Sequence, residues 1–264
     1  MCGGLLGDAA AGILGAMGLQ QGIRPAATEL GLAFAGLVVG WAAGSILFTL
    51  ISALLPEDTP LISVGLLFGP FVTGIAALFY QQVTTRWPPE ALRQTRDDEY
   101  QPPPKQSIAR TGLIRTGLIV AAGFLAALAG SIAIGLVVKL LGVEVAEQKA
   151  VVAIVDDARS GGPLLPAVVL SISAIIFAPI AEEWLFRGLL YRRIRGFSGP
   201  LLAYAVSGAA FAVIHNNLTG LAVYMWLGLV FAATLQLTGR LAAAMAVHLA
   251  NNAFVLATLF LGLE

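Results

Sequence analysis

Residues Ala178 to Gly196 read APIAEEWLFRGLLYRRIRG, and the fold of the whole chain turns on them. Two adjacent carboxylates, Glu182 and Glu183, and the cation Arg187 lie inside an apolar run that closes on Arg192, Arg193 and Arg195. An ionisable side chain in a membrane span costs at least about 2.5–3.5 kcal/mol on insertion scales, so several in one span need an internal partner or a task. Glu183 and Arg187 are i and i+4, on one helical face and within reach of an ion pair. Glu182 lies about 100° round the helix, and no cation is placed to pair with it as directly. One carboxylate reads as structural and the other as free; the alternative is a structural charge network that uses both.

The composition puts this stretch in a membrane. Of 264 residues, 58% are hydrophobic and 11% charged, and the mean hydropathy is +0.86. A soluble domain carries about 25% charged residues, so the expected class is an all-α, polytopic membrane helix bundle. Basic and acidic residues balance at 15 each, which argues against a nucleic-acid partner. Cys2 is the only cysteine, so the chain forms no internal disulfide and no cysteine-based metal cluster.

Seven apolar segments have the length of a span: Leu30 to Leu55, Leu61 to Phe79, Thr116 to Val138, Pro166 to Tyr191, Pro200 to Leu218, Gly220 to Thr238 and Leu241 to Leu263. Leu5 to Leu19 is short for a span and reads as an interfacial or re-entrant helix, an eighth if it crosses. Gln81 to Arg115, rich in proline and charge, reads as a solvent-exposed loop. Residues 1–115 are thus an N-terminal segment with two spans and a polar loop, and residues 116–264 hold the remaining spans within one integral membrane domain. Glu147 to Arg159 has apolar residues at helical spacing and reads either as an amphipathic helix on the membrane surface or as a connector packed on the bundle. With the N-terminus in the cytoplasm, twelve of the 15 basic residues fall inside, leaving Lys139, Lys149 and Arg159 outside. A cell inner membrane is the expected location.

The only two histidines also lie in apolar segments. His215 ends Phe211-Ala-Val-Ile-His215 and His248 opens His248-Leu-Ala-Asn-Asn252, each pair of end residues sharing one helix face. Counted at about 1.5 Å per residue from the nearest cytoplasmic cation or turn, Glu182, His215 and His248 lie roughly 15, 22 and 12 Å deep in a core of about 30 Å, which tilt can level. A lone histidine in a span is ordinarily a helix-to-helix hydrogen bond. Both histidines, a free glutamate and a facing asparagine at similar depth point instead to a functional site.

Glu182-Glu183-x-x-x-Arg187, Phe211-x-x-x-His215 and His248-x-x-x-Asn252 resemble, in order, the three motifs of the CAAX protease and bacteriocin-processing family, which includes the type II prenyl-protein endopeptidases. The resemblance covers about residues 164 to 255. It implies an intramembrane endopeptidase acting on a peptide or protein, lipidated or not, with residues 116–264 as its catalytic bundle. By resemblance, Glu182 and His215 orient and deprotonate the attacking water, and His248 and Asn252 stabilise the oxyanion. Glu183 and Arg187 support Glu182, with Phe211 beside them, and no cofactor is required.

Other chemistries stay open. Glu182, His215 and His248 match the ligand set of a catalytic zinc, although no His-Glu-x-x-His segment is present. A rhomboid-type serine enzyme would use Ser207, but the His-x-x-x-Asn motif follows that serine here instead of preceding it. A bacteriocin-immunity or ligand-binding membrane protein could use the same cluster without catalysis.

Overall fold

The computed structural model describes residues 19–55, 64–86, 111–143 and 148–263, and every regular element among them is helical. In chain order these are α1 (Leu19–Leu54), α2 (Phe68–Arg86), α3 (Leu113–Leu140), α4 (Lys149–Arg159), α5 (Leu164–Ser198), α6 (Pro200–Ile214), α7 (Leu221–Thr238) and α8 (Leu241–Leu261). Trp41, Ile46 and Leu50 on α1 and Leu118, Leu125 and Ile132 on α3 point outward. Apolar side chains turned out along such long helices are the surface a bilayer covers. The protein is an integral membrane helix bundle.

All seven expected segments are helical, but their ends shift. Five helices are long and apolar enough to cross a membrane: α1 from Ile23, α3, α5, α7 and α8. α6 stops at Ile214 after 15 residues, about 22 Å at the helical rise and less than the core of about 30 Å. The expected continuation to Leu218 is not helical, because the chain turns at His215 and Asn216, the latter at φ 48°. α2 begins at Phe68, after a turn at Leu66 and Leu67, and carries the polar residues Gln81, Gln82, Thr84, Thr85 and Arg86 as its last turns; the expected start at Leu61 lies outside the described residues. Residues 81–86 are therefore helix and not loop. The remainder of that loop, 87–110, and all but the last residue of the Leu5 to Leu19 run lie outside the described residues.

α1 and α2 form a hairpin through Gly36, Gly40 and Gly44. A Cβ at Gly40 would stand 2.3 Å from the Val72 carbonyl oxygen, so the backbones meet where only glycine fits. A buried polar cluster pins this hairpin to α5. Arg193 Nε lies 2.5 Å from Glu29 Oε1, the Tyr80 hydroxyl donates to the other Glu29 oxygen, and Glu29 and Tyr80 are each 1% exposed. Glu29 and Tyr80 went unnoticed in the sequence.

α7 runs through the centre, burying Phe231 and Leu235 against α5, α6 and α8. Gly199 (φ 79°) and Gly239 (φ 69°) make the tight joints before α6 and α8, a left-handed conformation that a Cβ penalises. Arg240 donates to the Thr111 carbonyl at 3.0 and 3.3 Å, tying the start of α3 to the α7–α8 joint. Of the two readings of α4, packing on the bundle is the one observed: Ile154 and Val155 are buried with Leu170 of α5 and Leu256 and Leu259 of α8.

α5 is not a uniform helix. It widens to π-helical turns over Ser173–Phe177 and Trp184–Tyr191, with a six-residue α-helical stretch, Ala178–Glu183, between them. Pro179 has no N–H to return to the carbonyl of Ile175, which accounts for the first widening. No proline accounts for the second. Such turns recur at functional sites, and here they bracket the glutamate pair.

Candidate active site

Glu183 and Arg187 pair as their spacing requires, with Nη1 3.0 Å from Glu183 Oε1 and both side chains fully buried. The guanidinium is held on three further sides. Its Nη2 donates to the Gly228 carbonyl at 2.9 Å, and its Cζ lies 4.3 Å from the Phe211 ring centroid and 5.3 Å from that of Phe231, within cation–π range. A Cβ at Gly228 would come within 3.3 Å of Nη2, so the approach depends on glycine there.

The pair is a triad in space. His248 Nδ1 lies 3.0 Å from the same Glu183 Oε1. A carboxylate can only accept, so Nδ1–H is the donor. His215 Nδ1 stands 2.7 Å from the Phe211 carbonyl oxygen, and by the same argument donates to it. In a neutral ring Nε2 is then the acceptor, and in an imidazolium it is a second donor.

Both Nε2 atoms face Glu182. Each lies 4.0 Å from Glu182 Oε2, beyond direct hydrogen bonding. That oxygen is buried and has no hydrogen-bond partner among the described residues. Stacking fixes the rings: His215 lies on Tyr224 at 4.0 Å and 22°, and His248 on Phe231 at 4.5 Å and 17°. Phe211 sits between them, with centroids 4.6 Å from His215 and 5.6 Å from His248. Phe211 thus touches both histidines and the arginine.

Asn252 lies on α8 one turn beyond His248, but its hydrogen bonds go elsewhere. Its amide donates to the Ala174 carbonyl at 2.8 Å, in the first widened turn of α5, and its oxygen accepts from Asn251 at 3.4 Å. Ser207 is buried with no hydrogen-bond partner among the described residues, which gives a serine nucleophile no base. Among the described residues no group of three or more His, Cys, Asp and Glu is arranged to hold a metal ion.

Glu182 and His215 open onto a cavity of about 360 Å³. Their side chains are 13% and 14% exposed, against 4% for His248 and none for Glu183. The site thus has an inner half of sealed charge and an outer half that solvent or a ligand reaches.

Sequence reasoning missed Tyr224, Gly228 and Phe231. Their signal was slight: they recur at i, i+4 and i+7, on one face of an otherwise uniformly apolar helix.

Fold and site together define a class: polytopic membrane proteins with an ionisable cluster inside the helix bundle. Residues 164–254 match the family model of the Rce1-like type II CAAX prenyl endopeptidases. That segment, about a third of the chain, is thus similar to the CAAX protease and bacteriocin-processing family, which includes them. It is 34% identical over 86 residues to the membrane-embedded CAAX protease MroQ of Staphylococcus aureus (strain USA300), an alignment over 30% of this chain and 35% of MroQ. The chain thus spans about a third of the length of that relative. No solved structure matches.

Proposed function

We propose that this chain is an intramembrane endopeptidase that hydrolyses peptide bonds with a water activated by Glu182 and His215, without a metal. The observation that carries this reading is the approach of both histidine Nε2 atoms to one Glu182 oxygen, each at 4.0 Å, a span that one bridging water closes. The family match supports a peptide or protein substrate, lipidated or not, and a membrane location; the distribution of the basic residues is what supports a cell inner membrane with the N-terminus in the cytoplasm.

In this reaction Glu182 takes a proton from the water while His215 Nε2, set by the bond from its Nδ1 to Phe211, orients it. The new hydroxide adds to the scissile carbonyl carbon. His248, protonated on both nitrogens, donates from Nε2 to the oxyanion, and the second N–H of Asn252 is the further donor. Glu182 then passes its proton to the leaving amine as the C–N bond breaks, and returns to a carboxylate. Glu183 balances the His248 imidazolium and Arg187 balances Glu183. With Glu182 ionised, the four charges cancel, as a buried cluster requires.

One observation favours a zinc reading of the same residues: a carboxylate on Nδ1 of His248 is also the arrangement that orients zinc-bound histidines. No step is assigned to a metal. The deciding experiment is cleavage of a peptide mixture by the purified protein in detergent, beside a Glu182→Ala control and with a chelator. Cleavage that is lost in the variant and unaffected by chelation is expected. Equal cleavage by both proteins, or none by either, would overturn the protease reading and favour a non-catalytic role. Activity removed by the chelator and restored by zinc would replace the metal-free version.

A further inference from the structure

The cavity over Glu182 and His215 has a wall that comes from outside the family-matched segment. Leu37 of α1 and Phe68, Gly69, Val72 and Thr73 of α2 face it, whereas the match begins at residue 164. We propose that this α1–α2 wall is a side-chain-selecting subsite, which takes a large apolar amino-acid side chain next to the scissile bond, with Gly69 setting the size limit. The proposal rests on the protease reading and adds what the site prefers.

Three observations converge on it. The lining is apolar through Leu37, Phe68, Val72 and Ile214, apart from the catalytic pair and the polar side chains of Thr73 and Gln148. Thr73 already donates its hydroxyl proton to the Gly69 carbonyl at 3.0 Å, so the α2 face offers an occupant little but apolar contact. At about 360 Å³ the volume lies at the small end of ligand pockets, suited to one bulky side chain and its backbone. Because Glu182 and His215 line the same cavity, the occupant adjoins the bond that they attack.

A selecting wall must hold its position, and this one is fixed twice. The glycine contacts of α1 leave no room for α2 to slide closer, since even one Cβ at Gly40 would overlap Val72. The Glu29, Tyr80 and Arg193 cluster ties the far end of both helices to α5. Gly69 differs from the packed glycines: it lines the cavity and a Cβ there meets nothing within 4 Å, so a side chain can be added at the wall without displacing the fold. A site held by rigid elements discriminates by size.

The test compares binding of short reduced-amide peptides, which cannot be cleaved, in an Ala/Ser background with a single Phe on either side of the reduced bond or with none. Each is titrated against the full-length protein and its Gly69→Leu variant in detergent. The expected result is that wild type binds one Phe peptide at least about tenfold more tightly than the peptide without Phe. In Gly69→Leu that ratio should fall to about twofold or less, because the Phe peptide loses more affinity than the small one. Leu37→Ala, which enlarges the cavity, should shift the preference from Phe towards Trp, and it decides the matter if Gly69→Leu does not fold. No Phe preference in wild type, or the same ratio in the variants, overturns the subsite. Because binding is read without turnover, an absence of cleavage of the parent peptides would count against the protease reading alone.

Discussion

Arg187 carries more of the site than any other single residue: it neutralises Glu183, donates to the Gly228 carbonyl and lies on the Phe211 and Phe231 rings. Removing one partner of a buried pair leaves an uncompensated charge, at a cost of about 3–5 kcal/mol. Arg187→Ala is therefore expected to lose most folded protein, as read by monodisperse yield in detergent and by the unfolding midpoint. Arg187→Lys should recover only part of it, because a point charge cannot bond Glu183 and Gly228 in the planar geometry of a guanidinium. Wild-type melting of both variants would contradict the buried triad. The Glu183–Arg187 bond was legible because i, i+4 spacing is local. The bond from His248 to the same carboxylate joins residues 65 positions apart, and nothing in one sequence specifies that distance. Likewise His215 and His248 stood out by composition, while Tyr224 and Phe231, which stack on them, look like ordinary apolar residues until α7 is placed.

Among the elements, apolar length was readable and helix ends were not. The stop of α6 at Ile214 is decided by the turn at Asn216, where asparagine tolerates the left-handed region at low cost. The only local sign was the Asn216-Asn217 pair before Gly220. The glycines of α1 were not singled out in the sequence, since small residues at helical spacing do not name a partner, here α2. Gly40→Ala is expected to push the hairpin apart and lower stability by about 1–3 kcal/mol, the usual range for overpacking. Tyr80→Phe deprives Glu29 of a buried donor and should cost about 1–3 kcal/mol. Thermal unfolding of each variant in detergent measures both, and an unchanged midpoint for either would mean that the helices do not pack as described.

At the scale of the whole molecule, three basic side chains sort by end. Arg193 reaches Glu29 in the first third of α1 and Arg240 reaches Thr111 just before α3, whereas Arg159 lies against Gly262 at the close of α8. A reporter fused within Gln81 to Arg115 is accordingly expected to read cytoplasmic and one after Glu264 external; both on one side would overturn the orientation. That expectation rests on charge counting, which needs no contacts. The coming together of residues from α5, α6 and α8 was foreseen only as a similarity of depth. The most direct measurement of the central idea, one hydrolytic site built by Glu182 and His215 together, is kcat/KM on a single cleaved peptide for Glu182→Gln, His215→Ala and the double variant. Residues that act as a unit are non-additive, so each single change should bring cleavage close to background and the double should lose little more. Losses that multiply, or a Glu182→Gln variant within about tenfold of wild type, would contradict it.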